Sequence, residues 1–232
     1  MQKIYYGRAV YNQKEINAVI KVLKNESLTL IDGKYVKKLE KVVAKIFGKK
    51  YGLMVNSGSS ANLLGLASFN LKRGSEVITP TLTFSTTVAP IYQLGLIPHF
   101  IDVDEKTFTA KIDQIEKAIN KNTKAIIIPN LLGNVPNWKK IFKIAKKYNL
   151  KIIEDSADTI GYKYTTKLNN WSDITTTSFY ASHVITGAGF GGMVSFSNRI
   201  EYERGLSLRG WGRRSCLYGE TEDYDRRFSA QI

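Results

Sequence analysis

Val36, Leu39, Val43 and Phe47 recur at intervals of three and four residues among lysines, the stripe of a helix with one apolar face, and Gly48 supplies its stop. The period then shortens. YGLMV at 51–55 reads as a strand, a helix is expected from Ser60 to Phe69, and Glu76-Val77-Ile78-Thr79 reads as the next strand. Pro80, which cannot donate to a central ladder, closes it. PHFIDV at 98–103 and AIIIP at 125–129 continue the series. Ile141, Ile144 and Ala145 share one side of a predicted helix over Trp138–Tyr148, which delivers the chain into LKIIED at 150–155. ITTTSFY at 174–180 and GMVSF at 192–196 are the last clear strands.

Unbroken apolar runs such as Ile126-Ile127-Ile128 suit a sheet buried on both faces. Strand–helix–strand order makes right-handed crossovers the default, so the expected architecture is a three-layer α/β/α domain with a mainly parallel sheet. No linker, repeat or low-complexity tract divides the chain, and one domain is expected over 1–232, with a helical segment over about 1–27 included. Sheets of this kind bind ligands outside the carboxyl ends of their strands.

Composition narrows the function classes. The 232 residues carry 34 Lys+Arg against 20 Asp+Glu, a formal charge of +14, with 43% hydrophobic and 23% charged residues. Those fractions are ordinary for a globular chain and argue against disorder. No apolar run reaches the ~18 residues of a membrane span. The start, MQKIYYGRAVYNQKE, lacks the apolar core of a signal peptide, so the expected location is the cytoplasm, without membrane partners. Cys216 is the only cysteine, which excludes an internal disulfide and cysteine-based structural zinc within the chain. The lysines, for example Lys37, Lys38, Lys41 and Lys45, fall in short groups on helix faces and read as solvated basic surface. A phosphorylated small ligand is the next reading. Nucleic-acid binding would rest on charge alone and is not expected.

Four strand ends carry candidate chemistry. After YGLMV stands Asn56-Ser57-Gly58-Ser59-Ser60-Ala61-Asn62, where small residues and helix-N-terminal amides would make an anion site or a plain serine-capped turn. After IIIP stands Asn130-Leu131-Leu132-Gly133-Asn134, whose asparagines would contact a ligand or simply turn the chain. Asp155, followed by Ser156-Ala157-Asp158, ends a buried strand and would hold a protonated ring nitrogen or cap a helix. After ITTTSFY comes a run from Ala181 to Gly192 containing His183 and four glycines. The other histidine, His99, lies in IPHF with no polar company expected. His183 falls where the other strand ends converge and is the candidate proton shuttle.

These residues resemble the DegT/StrS family of vitamin-B6-dependent nucleotide-sugar aminotransferases and dehydratases. The resemblance runs from about Leu28 to the C-terminus through NSGSSAN, PTLTFSTT, FIDVDEKTF, NTKAIIIPNLLGN, IIEDSAD, TSFYASH and GGMV. It implies the major domain of a fold type I transferase and a pyridoxal or pyridoxamine 5'-phosphate cofactor. By position it implies Gly58, Ser59 and Ser178 as ligands of the cofactor phosphate, Phe84 as the ring that stacks on the pyridine, and Asp155 as the partner of its nitrogen. Ser60 and Asp158 complete the implied cofactor-binding set. A carboxylate that keeps the pyridinium protonated makes the ring an electron sink.

One departure stands out. Family aminotransferases carry, after the SFY strand, a lysine that attaches covalently to the cofactor; here that position is His183, and no lysine follows Lys167. The same exchange marks the family's nucleotide-4-keto-6-deoxyhexose 3-dehydratases, which LLGN at 131–134 also resembles. The resemblance therefore implies a dehydratase in which pyridoxamine phosphate condenses with the sugar C4 ketone, His183 removes a proton from the cofactor methylene, and the C3 hydroxyl leaves. It also implies a homodimer, in which the segment Arg209–Tyr218 would reach the neighbouring site, and a role in dideoxysugar synthesis. The glycine loop lacks the family's usual glutamate, and the family's smaller C-terminal domain is not expected within residues 1–232. Some family dehydratases use an iron–sulfur cluster and a reductase; Cys216 would be a cluster ligand only with ligands from beyond Ile232, and glutamate-driven recycling is the alternative. A nucleotide-sugar aminotransferase and a lysine-less binding protein without turnover are the competing readings.

Overall fold

Ile126, Ile127 and Ile128 are fully buried inside a seven-stranded sheet, as their unbroken apolar run requires. The computed structural model describes residues 8–25, 33–161, 171–187, 189–213 and 215–218. Within the sequence regions named above, residues 1–7 and 26–32, Lys167, Ala188, Arg214 and the chain beyond Tyr218 lie outside the described residues. The strands are β1 (Tyr51–Val55), β2 (Glu76–Pro80), β3 (Ile97–Ile101), β4 (Thr123–Pro129), β5 (Lys151–Asp155), β6 (Ile174–Ser178) and β7 (Gly192–Phe196). The helices are α1 (Gln13–Leu23), α2 (Lys34–Ile46), α3 (Gly58–Ser68), α4 (Ser85–Gln93), α5 (Ile112–Ala118), α6 (Trp138–Lys147), α7 (Arg199–Arg209) and the single turn α8 (Ser215–Tyr218).

The strand order is β1-β7-β6-β5-β4-β2-β3; β7 pairs antiparallel with both β1 and β6, and every other pair is parallel. Alternate residues sort into two cores. Ala125, Ile127, Ile153, Ile174 and Val194 pack with Leu66 and Phe69 at the end of α3 and with Ile91 of α4. On the other face Ile126, Ile128 and Ile152 meet Ile115 of α5 and Trp138, Ile141 and Ala145 of α6. The expected three-layer arrangement is therefore present, with helices on both faces of a mixed, mostly parallel sheet. Among the described residues no helix is long and apolar enough to cross a membrane. Lys37, Lys38, Lys41 and Lys45 are exposed on α2, as a solvated face should be.

Several boundaries differ from the sequence expectation, each for a local reason. The helix α3 starts two residues early because the Ser57 hydroxyl accepts the Ser60 N–H at 3.1 Å and caps it. β3 stops at Ile101 because two carboxylates turn the chain: Asp102 accepts the Val103 N–H, and Asp104 accepts those of Lys106 and Thr107. β6 ends at Ser178; the Phe179 N–H turns to the Gly191 carbonyl at 2.8 Å, and its ring joins Val43, Phe47 and Met193 in a third cluster.

Topology sets the ligand edge. The chain leaves β2 for β3 on one side, then crosses back to place β4 on the other side of β2. Such a reversal opens a crevice at the carboxyl ends of the strands.

Candidate functional site

A cavity of about 740 Å³ lies over those ends, lined by residues that follow β1, β2, β4, β5 and β6. Its small-residue wall is built by register. Gly192 is paired with Val55 of β1 on one side and with Ser178 of β6 on the other, so the β1–α3 turn and the end of β6 close over one glycine. A Cβ on Gly192 would lie 2.2 Å from the Ser57 carbonyl, and one on Gly58 would lie 2.7 Å from Ser178 Cβ. Glycine is required at both points by close approach rather than by backbone dihedrals. Ser57, Gly58, Ser59 and Ser178 thereby share one end of the cavity, at the N-terminus of the eleven-residue helix α3. Backbone amides there favour a bound anion. Ser60 is not among the lining residues; its N–H and hydroxyl both meet Ser57 Oγ, and it serves the helix cap.

Asp155, 6% exposed, is the buried carboxylate of the cavity lining. Its Oδ2 accepts from Asn62 Nδ2 and Thr87 Oγ1, each at 2.8 Å, and its Oδ1 accepts the Ala157 N–H at 3.2 Å. All three donors are neutral. Burial, with a smaller push from the Asp158 charge, raises the Asp155 pKa above the ordinary carboxylate value despite those hydrogen bonds. Asn62 is itself held by Thr176 Oγ1, which donates to Asn62 Oδ1 at 2.6 Å. Asn62 and Thr87 were not singled out in the sequence. Their signal was spacing: Asn62 is four residues after Gly58, hence on the same helix face, and Thr87 is three after Phe84. Phe84, 67% exposed, stands at the cavity wall just before α4.

His183 and Asp158 both line the cavity. His183 Nε2 is 3.5 Å from Asp158 Oδ1, while the Leu132 N–H donates to Asp158 Oδ2 at 2.8 Å. His183 Nδ1 is buried without a hydrogen-bond partner, as is the hydroxyl of Thr83, another lining residue. Buried polar atoms of this kind are the ones a bound molecule satisfies. No lysine lines the cavity among the described residues. Leu82, Phe108, Leu132, Tyr180 and Phe190, which sequence reasoning passed over, supply exposed apolar surface at its wall.

Three other residues named in the sequence have the following surroundings. Asn130 lines the cavity, and its side chain donates to Glu154, Ser156 and Thr159 and accepts the Trp138 indole N–H at 2.9 Å. His99 does have polar company, because its Nδ1 lies 3.2 Å from Glu76 Oε2 on the neighbouring strand. Cys216 lies away from the cavity lining, with its Sγ donating to the Gly210 carbonyl at 3.4 Å, and no metal-ligand cluster occurs among the described residues.

Residues 10–227 match the DegT/DnrJ/EryC1/StrS aminotransferase family. A GDP-4-keto-6-deoxy-D-mannose 3-dehydratase from Yersinia pseudotuberculosis is 36% identical over 215 residues, covering 88% of this chain and 54% of that protein. A dTDP-4-dehydro-2,6-dideoxy-D-glucose 3-dehydratase from Saccharopolyspora spinosa is 40% identical over 196 residues, covering 80% of this chain and 42% of that one. Among solved structures, the E. coli GDP-4-keto-6-deoxy-D-mannose-3-dehydratase with bound hydrated PLP superimposes with a TM-score of 0.87 at 32% identity, over 100% of this chain and 63% of that one. Aminotransferases also occur among the matches. The chain spans about half the length of the curated relatives it matches.

Proposed function

Because the chain belongs to the DegT/DnrJ/EryC1/StrS aminotransferase family, we propose that it serves pyridoxamine-phosphate-dependent removal of the C3 hydroxyl from a nucleotide-linked 4-keto-6-deoxyhexose. The observation that carries this reading is the cavity's own chemistry: among the described residues its lining has a histidine with an unpartnered buried nitrogen and no lysine. A site without an amine cannot anchor the cofactor covalently, as transamination in this family requires.

The residues present fit the cofactor. The serine- and glycine-lined N-terminus of α3 suits a phosphate dianion. Asp155 is a buried carboxylate with neutral partners only, so a protonated ring nitrogen would supply its missing counter-charge. Phe84 offers an exposed aromatic face beside it. When bound, pyridoxamine phosphate would supply an amine for the C4 ketone and an electron sink for loss of the C3 hydroxyl. Asn62 and Thr87 would hold Asp155 in place and in its ionised form. His183 Nδ1 would accept the proton removed before the hydroxyl leaves, and the resulting imidazolium could return a proton to that hydroxyl. The apolar wall of Leu82, Phe108 and Phe190 would keep water from the reacting carbons. The same reading takes the working form as a homodimer; exposed Val184, Ile185 and Trp211 are apolar surface that a second copy could cover.

The test titrates the protein with pyridoxal phosphate and pyridoxamine phosphate, reduces with borohydride, maps labelled peptides, and then assays elimination on GDP- and dTDP-linked 4-keto-6-deoxysugars. Tight pyridoxamine phosphate binding without a lysine adduct is expected, and His183→Asn should keep that binding while elimination falls at least about 100-fold. A stoichiometric lysine adduct would restore transamination, and full turnover in His183→Asn would remove the histidine from the chemistry.

A further inference from the structure

We propose that Asp158 is the positioning residue of His183, fixing its proton on Nε2 so that Nδ1 is the nitrogen presented to the reacting centre. This inference rests on the reading of His183 given above. The two ring nitrogens have different surroundings. Nε2 faces Asp158 Oδ1 at 3.5 Å, and Nδ1 is buried against the cavity with no protein partner. A carboxylate accepts and cannot donate when ionised, so a neutral imidazole beside it carries its hydrogen on the facing nitrogen. The lone pair then remains on Nδ1, which is the form a base needs.

Asp158 is itself held. Its second oxygen, Oδ2, accepts the Leu132 N–H at 2.8 Å. Leu132 occupies the left-handed region, with φ 54°, at the tip of the turn that follows β4. That turn starts from Asn130, whose side chain is locked by Trp138, Glu154, Ser156 and Thr159. One carboxylate therefore links the β4 turn to the histidine that follows β6. Distances between catalytic partners commonly shorten when a ligand closes the site, so 3.5 Å is within reach of a hydrogen bond. Proton uptake at Nδ1 leaves an imidazolium whose Nε2–H points at a negative charge, and no proton has to move to Asp158. On this assignment both Asp158 oxygens are engaged by protein groups, which separates its role from that of Asp155.

Imidazole nitrogen NMR reads the assignment without turnover. The chain has two histidines, so a His99→Asn variant leaves a single set of signals to assign. At about pH 8.5, where an ordinary imidazole is neutral, His183 is expected as the Nε2–H tautomer, with its ring N–H proton downfield of an unpartnered one. In Asp158→Asn the amide oxygen can keep the Leu132 N–H, which turns the amide nitrogen, a donor, toward Nε2. The tautomer should then invert to Nδ1–H. A wild-type Nδ1–H tautomer, an Nε2–H proton at the unpartnered position, or a folded Asp158→Asn variant without inversion would each overturn the inference. Should the variant not fold, the wild-type proton shift alone decides. Failure of pyridoxamine phosphate to bind, or elimination persisting in His183→Asn, would instead count against the dehydratase reading and leave the tautomer result standing.

Discussion

Gly192→Ala is the perturbation that the geometry constrains most tightly. The added Cβ would meet the Ser57 carbonyl carbon and oxygen at 2.2 Å and the Gly58 nitrogen at 2.6 Å. All three are backbone atoms, so no rotamer change can relieve the contact. Restoring ordinary separation requires the β1–α3 turn to move roughly 1 Å away from β7. Overpacking of this kind costs about 1–3 kcal/mol, and the backbone contact puts this site near the upper end. A loss of about 2–3 kcal/mol corresponds to a Tm drop of about 4–12 °C at this chain length. The same movement separates Gly58 and Ser59 from Ser178 and so opens the anion end of the cavity. A misplacement of about 1 Å is enough to cost on the order of 100-fold where several groups must converge. Gly205→Ala is the matched control: its Cβ would press on Phe196 Cζ at 2.9 Å and Leu53 Cδ2 at 3.3 Å, side-chain atoms in the core away from the cavity lining. Urea unfolding should show destabilisation in both variants, while pyridoxamine phosphate titration should show weakened binding in Gly192→Ala only. Equal affinity in the two variants would refute the cradle, and an undestabilised Gly192→Ala would refute the packing argument itself.

Two further outcomes follow from buried charges. Asp155→Asn removes an ionised group whose pKa burial has raised, so in thermal melts above that pKa the ligand-free protein should lose no stability and could gain it. Pyridoxamine phosphate affinity should fall by about 10- to 100-fold, the worth of a charge-assisted hydrogen bond; unchanged affinity would separate Asp155 from the ligand. Lys49 is buried, donates to Ser172, and has its pKa lowered by burial to about 8 from 10.5, with Glu154, Asp173 and Glu201 opposing the shift. Between those two values the unfolded chain binds more protons than the folded one, so this group makes stability rise with pH across about 8 to 10.5, by on the order of 3 kcal/mol. Denaturant unfolding at several pH values should show that rise in the native protein and a flatter profile in Lys49→Met.

Much of the site was legible because its residues sit at strand ends, where topology forces convergence. Asp155 and His183 could be placed in one crevice from the alternating pattern alone, since Asp155 ends one buried parallel strand and His183 follows its neighbour. What the pattern could not carry was the identity of the hydrogen-bond partners. Asp155, the last residue of β5, shares the face of Ile153 and meets Asn62 and Thr87 of α3 and α4, whereas Asn130, one residue past β4, shares the face of Ile126 and Ile128 and meets Trp138 of α6. A period of two assigns those faces, but the partners that fix each side chain come from elements distant in sequence. The same limit hid the His99–Glu76 contact: the residues are 23 apart in sequence and on neighbouring strands, brought together only by the register of β2 and β3.

The polar residues of the sheet's ligand edge also explain one another. Thr176 holds Asn62, Asn62 and Thr87 hold Asp155, and each link is a neutral donor to an acceptor at 2.6–2.8 Å. The chain therefore offers a buried carboxylate that is fixed in position but not neutralised. Hydrogen bonds alone do not bring its pKa down to the ordinary value, so the charge is compensated either by a proton on the carboxyl itself or by a cation supplied from the cavity. A site prepared for a neutral ligand would gain nothing from that arrangement, because Asn in place of Asp155 would satisfy most of the same partners without the desolvation cost. A carboxylate held this way suits a cationic ligand, and the protonated ring nitrogen of the proposed cofactor is one that fits.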